Sequence, residues 1–485
     1  SHSRASRRLG KMPLNKRVPV WLQHGSGHGS YMKKTRDKAR ETALDILNRL
    51  DNSQVTLDTI IESVFSSGQQ SKLDKAFIYS LVYGVLRWRS RLDWIVKHFS
   101  HTKPDKIDPK IFNILRMGLF QIIYLTRVPI SAAVNTSVEL AKTVADIRTV
   151  SYVNALLRKA SVEYEGVGFP DFQKHPVASI AASQAFPEWL IQRWVNRFGP
   201  LATRKLCEAF NTIPPITVRT NRLKTDRDSL IRLIGDEAAD VQATPYSLDG
   251  VSFNHPKLPV ANLTAFHKGW FQVQDEAAQL VSCFLNPQPG ETILDACAGL
   301  GGKTGHIAQL MSNRGRIIAM DHQKQKLSQL RSEMMHLGIS IVTTNSHDLN
   351  TPFEKDPSRT FDRILLDAPC SGLGVLRRNP DAKWSLSKMN FAHYQQRQAM
   401  FLQTLAPMVK LGGILQYVVC SMEPEENEQV VAGFMEKHPN FTIHKSHGTL
   451  AEVARPFVDS DGFFRTYPHT SHMDGFFSVR FKRLQ

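Results

Sequence analysis

The chain has 485 residues, 42% hydrophobic and 22% charged, with a formal net charge of +17. That length exceeds what one hydrophobic core supports and points to about three domains. No run of about 18 uninterrupted apolar residues occurs, no CxxC pair exists and the five cysteines are scattered, which argues against a membrane span, a structural zinc site and a disulfide framework. The charge favours a polyanionic partner, nucleic acid first. The cysteine usage fits a reducing, cytoplasmic compartment, and nothing in the pattern demands more than a monomer.

Residues 1–32 contain no Asp or Glu and no apolar period. They read as a disordered basic arm or a cloning extension, with Met32 a candidate natural start and a transit peptide a second reading. From 33 to 165 the spacing is helical throughout. "RDKARETALDILNRL" sets Ala39, Ala43, Ile46, Leu47 and Leu50 on one face. "FIYSLVYGVLRWRSRLDWIVKHF", "PKIFNILRMGLFQIIYL" and "AAVNTSVELAKTVADI" continue the pattern, giving an all-α domain with basic exposed faces. "YEGVGFPDFQKHP" reads as a linker. Residues 184–265 suggest a small α+β module, with a short helix in "FPEWLIQRWVNRFG" and strand, turn and helix in "PPITVRTNRLKTDRDSLIRLI".

Over 266–485 strands and helices alternate, which predicts a parallel doubly wound sheet. Strand candidates end at Asp295, Asp321, Asp348, Asp367 and Cys420. In such a sheet ligands bind beyond the carboxyl ends of the strands, so these side chains converge on one crevice. "LDACAGLGGKTGH" follows the first strand and opens a helix, where glycines let backbone N–H groups approach a ligand. A phosphate-binding P-loop fails here because its first glycine falls on Cys297. A dinucleotide fingerprint starting at Gly299 fails at Thr304. The surviving reading is an S-adenosyl-L-methionine site without a metal. The loop takes the carboxylate of that molecule, Asp321 the ribose diol and Asp348 the adenine amino group. Each acid also reads as an ordinary helix N-cap.

"DAPCSG" and "VVCSMEPEEN" each place a cysteine at a strand end. Carbon 5 of a pyrimidine is a poor nucleophile, and a thiolate added at carbon 6 makes it an enamine carbon. Such chemistry uses one thiolate, a proton donor at N3 of cytosine and a base for the C5 proton. A protonated Asp367 in a desolvated setting suits the N3 contact. Cys207, Cys283 and Cys297 read as small buried hydrophobes. Glu423, Glu425 and Glu426 read chiefly as acids in the first turn of a helix.

"DACAGLGGKT", "DAPCSG", "CSMEPEEN", "FQVQDEAAQL", "RRNPDAKW" and "HMDGFFSVRFKR" resemble motifs of the RNA cytosine-C5 methyltransferases of NOL/NSUN type. "ISAAVNTSVELAK" and "YVNALLRKA" are similar to the antitermination factor NusB. The combination, over about 33–485, looks like the bacterial 16S ribosomal RNA branch of that family (Sun/Fmu type). The resemblance implies a class I, Rossmann-like methyltransferase domain behind a NusB-like RNA-binding domain. It makes Cys420 the nucleophile and Cys370 the helper for product release, with Asp367 touching base and cofactor. Cofactor contacts would be Cys297, Ala298, Gly299, Leu300, Gly301, Gly302, Lys303, Asp321, Asp348 and Asp367. RNA contacts would be Arg377, Arg378 and Lys383. The family usually has proline at Leu300 and threonine at Val419. Two rival readings are a tRNA-directed enzyme of the same chemistry and a catalytically silent RNA-binding assembly factor. A silent relative should lose a cysteine or a cofactor acid, and this chain keeps them all.

Overall fold

The computed structural model describes residues 37–52, 55–66, 68, 70–351, 360–445 and 448–484, so the arm expected over 1–32 lies outside the described residues. The chain forms two compact units, divided between Cys207 and Glu208.

The first unit is helical. Its main helices are Lys38–Asn52, Leu57–Phe65, Lys72–Phe99, Pro109–Tyr124, Ile130–Lys142 and Ile147–Glu163. Side chains start several of them: Thr56, Ser71, Asp108 and Asp146 each accept a hydrogen bond from a first-turn backbone N–H. Along Lys38–Asn52 the buried residues are Ala39, Ala43, Leu44, Ile46 and Leu47; Leu44 joins the expected stripe and Leu50 is only half-buried. Helix Lys72–Phe99 bends at Trp88, whose φ of −108° and ψ of 15° leave the helical region. Gly84 of this helix meets the ring of Phe120 where a side chain would stand. The segment expected as a linker is docked. Trp94 Nε1 donates to Gly168 O at 3.0 Å, and the Trp94 ring stacks on Phe169.

The second unit contains two sheets. In the smaller, β1 (Ile216–Thr220), β2 (Ala239–Ala243), β3 (Gly250–Asn254) and β4 (Phe271–Val273) pair in the order β2-β3-β1-β4, all antiparallel. Strand β4 lies beyond residue 265, the boundary that the sequence suggests for the small module, yet it pairs with β1. Gln272 of β4 and Gln274, one residue past it, both accept from Arg219 of β1, so side chains as well as backbone join β4 to the small sheet.

The larger sheet holds β5 (Thr292–Asp295), β6 (Arg316–Asp321), β7 (Val342–Ser346), β8 (Phe361–Asp367), β9 (Val409–Val419), β10 (Phe441–Ile443), β11 (Phe464–Thr466) and β12 (Phe476–Arg483). The path is β10-β12-β9-β8-β5-β6-β7, with β11 on β12. Strands β5 to β9 are mutually parallel, as expected. Strand β12 runs antiparallel to β9, and β10 and β11 pair antiparallel with β12, so β12 alone is reversed and the sheet is mixed rather than wholly parallel. The helix Lys388–Leu405 stops there because Pro407 cannot continue it and Val409 already pairs with Phe361.

The chain runs outward from β5 through β6 to β7, then returns to β8 on the other side of β5. This reversal is the switch point where a crevice opens at the carboxyl ends of the strands. Apolar clusters fill both faces of the sheet, with Leu294, Leu366, Tyr417 and Val419 on one and Ile293, Leu365 and Val418 on the other.

Candidate active site

The register of the two central strands places the thiols. Asp367 of β8 stands beside Val418 of β9. Cys370 and Cys420 follow three and two residues later, and their Sγ atoms meet at 3.3 Å. Burial is not the whole environment, since both cysteines keep partial exposure. The Cys370 thiol is pushed well above its ordinary range, first by its hydrogen bond with Cys420 and then by burial. Either sulfur can donate in that contact. Gly374 N donates to Cys420 O at 2.9 Å, and Gly475 N donates to Gly374 O at 2.8 Å. A Cβ on Gly374 would collide with Gly475 O, so only glycine fits this crossing.

Lys303 reaches the same place from the glycine loop. Its Nζ lies 2.5 Å from Asp367 Oδ2, with the lysine side chain 13% exposed. Burial lowers the lysine pKa, but the charge and hydrogen bond of Asp367 outweigh it and hold the ammonium above its usual value. Lys303 Nζ donates to Asp367 Oδ2. The expectation of a protonated Asp367 is thus corrected: Asp367 is the acceptor of an ion pair, and Lys303 is the donor.

The glycine loop is held from three sides. Gly299 and Gly301 adopt φ of 55° and 86°, which glycine tolerates without strain. Gly299 N donates to Asp321 Oδ2 at 3.1 Å, and Gln323 N donates to Asp321 Oδ1 at 2.8 Å. Ala298 N donates to Met320 O. Leu300, in place of the family's proline, points outward at 56% exposure. From the small sheet, buried Arg219 donates to Gly302 O at 2.9 Å, a contact nothing in the local sequence announces. Cys297 lies half-buried, and its thiol is pushed far up by burial and then by Asp367, Asp295 and Asp321.

Asp295 is buried and accepts from Thr304 Oγ1 at 2.6 Å, while its Oδ1 has no partner among the described residues. Burial pushes its pKa up to about 7. Asp348 lies two residues past the end of β7, in a turn where Asn350 N donates to it at 2.9 Å. That backbone bond holds its carboxyl below the usual value. These are ordinary turn contacts to one carboxylate oxygen, Oδ1.

Arg377, Arg378 and Lys383 stand elsewhere than the open basic surface expected of phosphate contacts. Arg377 is 5% exposed and donates to Asp474 Oδ1 and His472 O. Arg378 donates to Asp474 Oδ2 at 2.7 Å and to Asp275 Oδ2 at 2.9 Å. Lys383 is 2% exposed. The physical reason is Asp275 and Asp474, nearly buried acids that require cations. This cluster locks "RRNPDAKW" to the start of helix Glu276–Leu285 and to the approach of β12. Val419 is fully buried in the apolar cluster with Phe477, where a hydroxyl would need a partner and valine needs none.

A doubly wound sheet with this loop after its first strand and acids after the next defines a methyltransferase dependent on S-adenosylmethionine. The chain belongs to the RsmB/F methyltransferase family. The model described as "16S rRNA methyltransferase RsmB/F" matches residues 282–482, the NusB family 37–161, and an RsmF/B-like ferredoxin-like domain 186–261. A Bacillus subtilis relative, "Probable ribosomal RNA small subunit methyltransferase B", is 36% identical over 447 residues, covering 92% of this chain and 98% of that protein. The Salmonella typhi "Ribosomal RNA small subunit methyltransferase B" is 34% identical over 395 residues, covering 81% and 89%. Among solved structures, "Crystal Structure of PH0851" superposes with a TM-score of 0.74 at 25% identity, covering 92% of this chain and 98% of that one. "NSun6 from Pyrococcus horikoshii with SFG" shares the fold over 62% of this chain and 99% of that one, at a TM-score of 0.54 and 23% identity.

Residues 37–161 are thus NusB-like, residues 186–261 ferredoxin-like, and residues 282–482, which hold the large sheet, the methyltransferase domain. The residues present suit the cofactor. The site gathers Asp295, Asp321 and Asp367 around one ammonium, Lys303, and leaves a buried carboxylate oxygen of Asp295 unpartnered among the described residues. That excess of negative charge matches a ligand bearing a sulfonium and an ammonium.

Proposed function

We propose that this protein methylates carbon 5 of a cytosine in 16S ribosomal RNA through a transient bond between Cys420 Sγ and carbon 6. The observation that carries the reading is the meeting of two thiols at 3.3 Å, with the Lys303–Asp367 pair beside them at the crevice of the sheet. S-adenosylmethionine, when bound, supplies an electrophilic methyl group. Cys420 as thiolate adds to carbon 6 and makes carbon 5 the nucleophile. Lys303 donates to the N3 side of the ring, held in line by Asp367. Cys370 serves product release: water takes the C5 proton, the C5–H electron pair forms the C5–C6 double bond, and Cys420 leaves carbon 6 as a thiolate that the adjacent Cys370 thiol stabilises. Asp321 and the loop from Cys297 to Lys303 hold the cofactor, and Asp348 closes its adenine side.

A cytosine in a loop or at a helix end reaches such a crevice at low cost, because it need not be unstacked from a duplex. Since Arg377 and Lys383 are enclosed, phosphate contact falls to exposed lysines such as Lys97, Lys103, Lys106 and Lys110 of the NusB-like unit. Incubating the protein with 16S transcript and methyl-labelled cofactor, then digesting to nucleosides, tests the reading. 5-Methylcytidine as the labelled product supports it. Label in any other nucleoside contradicts it.

The buried acid beside the loop adds a pH dependence. Asp295 has a folded pKa near 7 against an ordinary 3.8. Its neutral form favours the ligand-free fold below the ordinary value, and that contribution is lost as pH rises through about 7. A cationic ligand prefers the ionised form, so S-adenosylmethionine should bind more tightly at pH 8 than at pH 6. By the same linkage, binding takes the proton off Asp295. Calorimetry in two buffers of different ionisation heat checks both. Equal affinity at the two pH values with no proton release would refute the assignment.

A further inference from the structure

Each cysteine of the pair is followed by a serine, and both serines end on one carboxylate. Ser371 N donates to Glu426 Oε1 at 2.8 Å, and Ser371 Oγ to Glu426 Oε2 at 2.6 Å. Ser421 Oγ donates to the same Oε2 at 2.5 Å. Gln398 Nε2 donates to Oε1 at 3.2 Å and also to Pro369 O at 3.0 Å, one residue before Cys370. Tyr417 Oη donates to the Glu426 carbonyl at 2.7 Å, which fixes the backbone under the carboxylate. Glu426 is fully buried. The next helix begins at Glu428, so Glu426 is not one of its first-turn acids.

We infer that Glu426 is the positioning residue of the thiol pair. Its carboxylate brackets the two loops by their serines and so holds Cys370 and Cys420 in contact. Beside it, the loop after β8 and the loop after β9 meet at the thiol pair itself, at the Cys420 O–Gly374 bond and at the Ser371–Ser421 hydroxyl contact at 3.2 Å. Four donors converge on a carboxylate that can accept from all of them. A carboxamide accepts at one end only, and its NH2 end would force the two serine hydroxyls to turn and accept instead. The charge of Glu426 also reaches the pair: after the hydrogen bond with Cys420, burial and the charge of Cys420, it raises the Cys370 pKa further. The inference rests on the covalent reading above for its catalytic meaning, though its geometry stands alone.

The test separates the two. Phenylarsine oxide condenses with two adjacent thiols to give a cyclic dithioarsenite and one water, with no change of oxidation state, and needs no RNA. Wild type should capture one equivalent rapidly, and Cys370→Ala or Cys420→Ala should not. Glu426→Gln should keep the wild-type cofactor affinity while losing fast capture. Its methyl-transfer kcat should fall about 10²-fold, the scale of a misplaced reacting group. Glu426→Gln that captures the arsenical and turns over at wild-type rates overturns the inference. So does a variant whose cofactor affinity falls in step with its activity while capture is unchanged. Should Glu426→Gln fail to fold, the Ser371→Ala/Ser421→Ala variant removes both legs of the bracket and is read by the same two outcomes. Fast arsenical capture by a wild type that never joins RNA covalently would sink the covalent reading and leave the bracket standing.

Discussion

Replacing Cys420 with alanine should abolish methyl transfer while leaving the cofactor bound. The expected loss is on the order of 10⁶-fold, the scale seen when a covalent nucleophile is removed. The structure explains why binding should survive. Cys420 follows β9, while the cofactor loop follows β5, and β8 stands between them. The substitution also leaves the backbone bond from Gly374 N to Cys420 O intact. Calorimetric titration of S-adenosylmethionine beside a methylation assay checks both halves. A variant that still methylates cytosine contradicts the assignment of the nucleophile.

The second large effect belongs to the ion pair. Asp367→Asn should lower kcat by about 10²–10⁴-fold, the contribution of a positioned proton donor. The route is through Lys303. Its ammonium is enclosed, and Asp367 is what keeps it charged against burial. Without that partner the lysine tends to neutrality, and the donor at the base edge is lost. The pH–rate profile discriminates. An asparagine variant that works best at lower pH, where Lys303 is again protonated, supports the route. A profile identical to wild type at reduced rate speaks against it.

The sheet's centre was readable because its signals are local. Apolar runs ending in Asp295, Asp321 and Asp367 announce buried parallel strands and a crevice at their ends. The cysteines stood out for the same reason, each at a turn after such a run. The features that escaped the sequence depend on partners far along the chain. Arg377 and Arg378 look like a basic patch until Asp474 and Asp275 are placed against them, 97 and 103 residues away. Within "EPEEN" three glutamates look alike, and only the fold turns Glu426 inward to the two serines. Lys303 reads as a cofactor contact because its motif faces one ligand, whereas the sheet order brings it to Asp367. Strand β12, the one reversed strand, follows β11 through only the short turn of helix at Pro468–Ser471 and not a full crossover helix, so alternation gave no sign of its direction.

The division of labour between the two thiols has a direct readout. Cys370→Ala protein is mixed with S-adenosylmethionine and 16S transcript and run on a denaturing protein gel. If Cys420 attacks and Cys370 releases, a slower band forms that requires RNA, disappears in the Cys370→Ala/Cys420→Ala variant and carries a single cytosine position. The lack of such a band, under conditions where wild type methylates the same transcript, would mean that the two thiols do not share the work in this way.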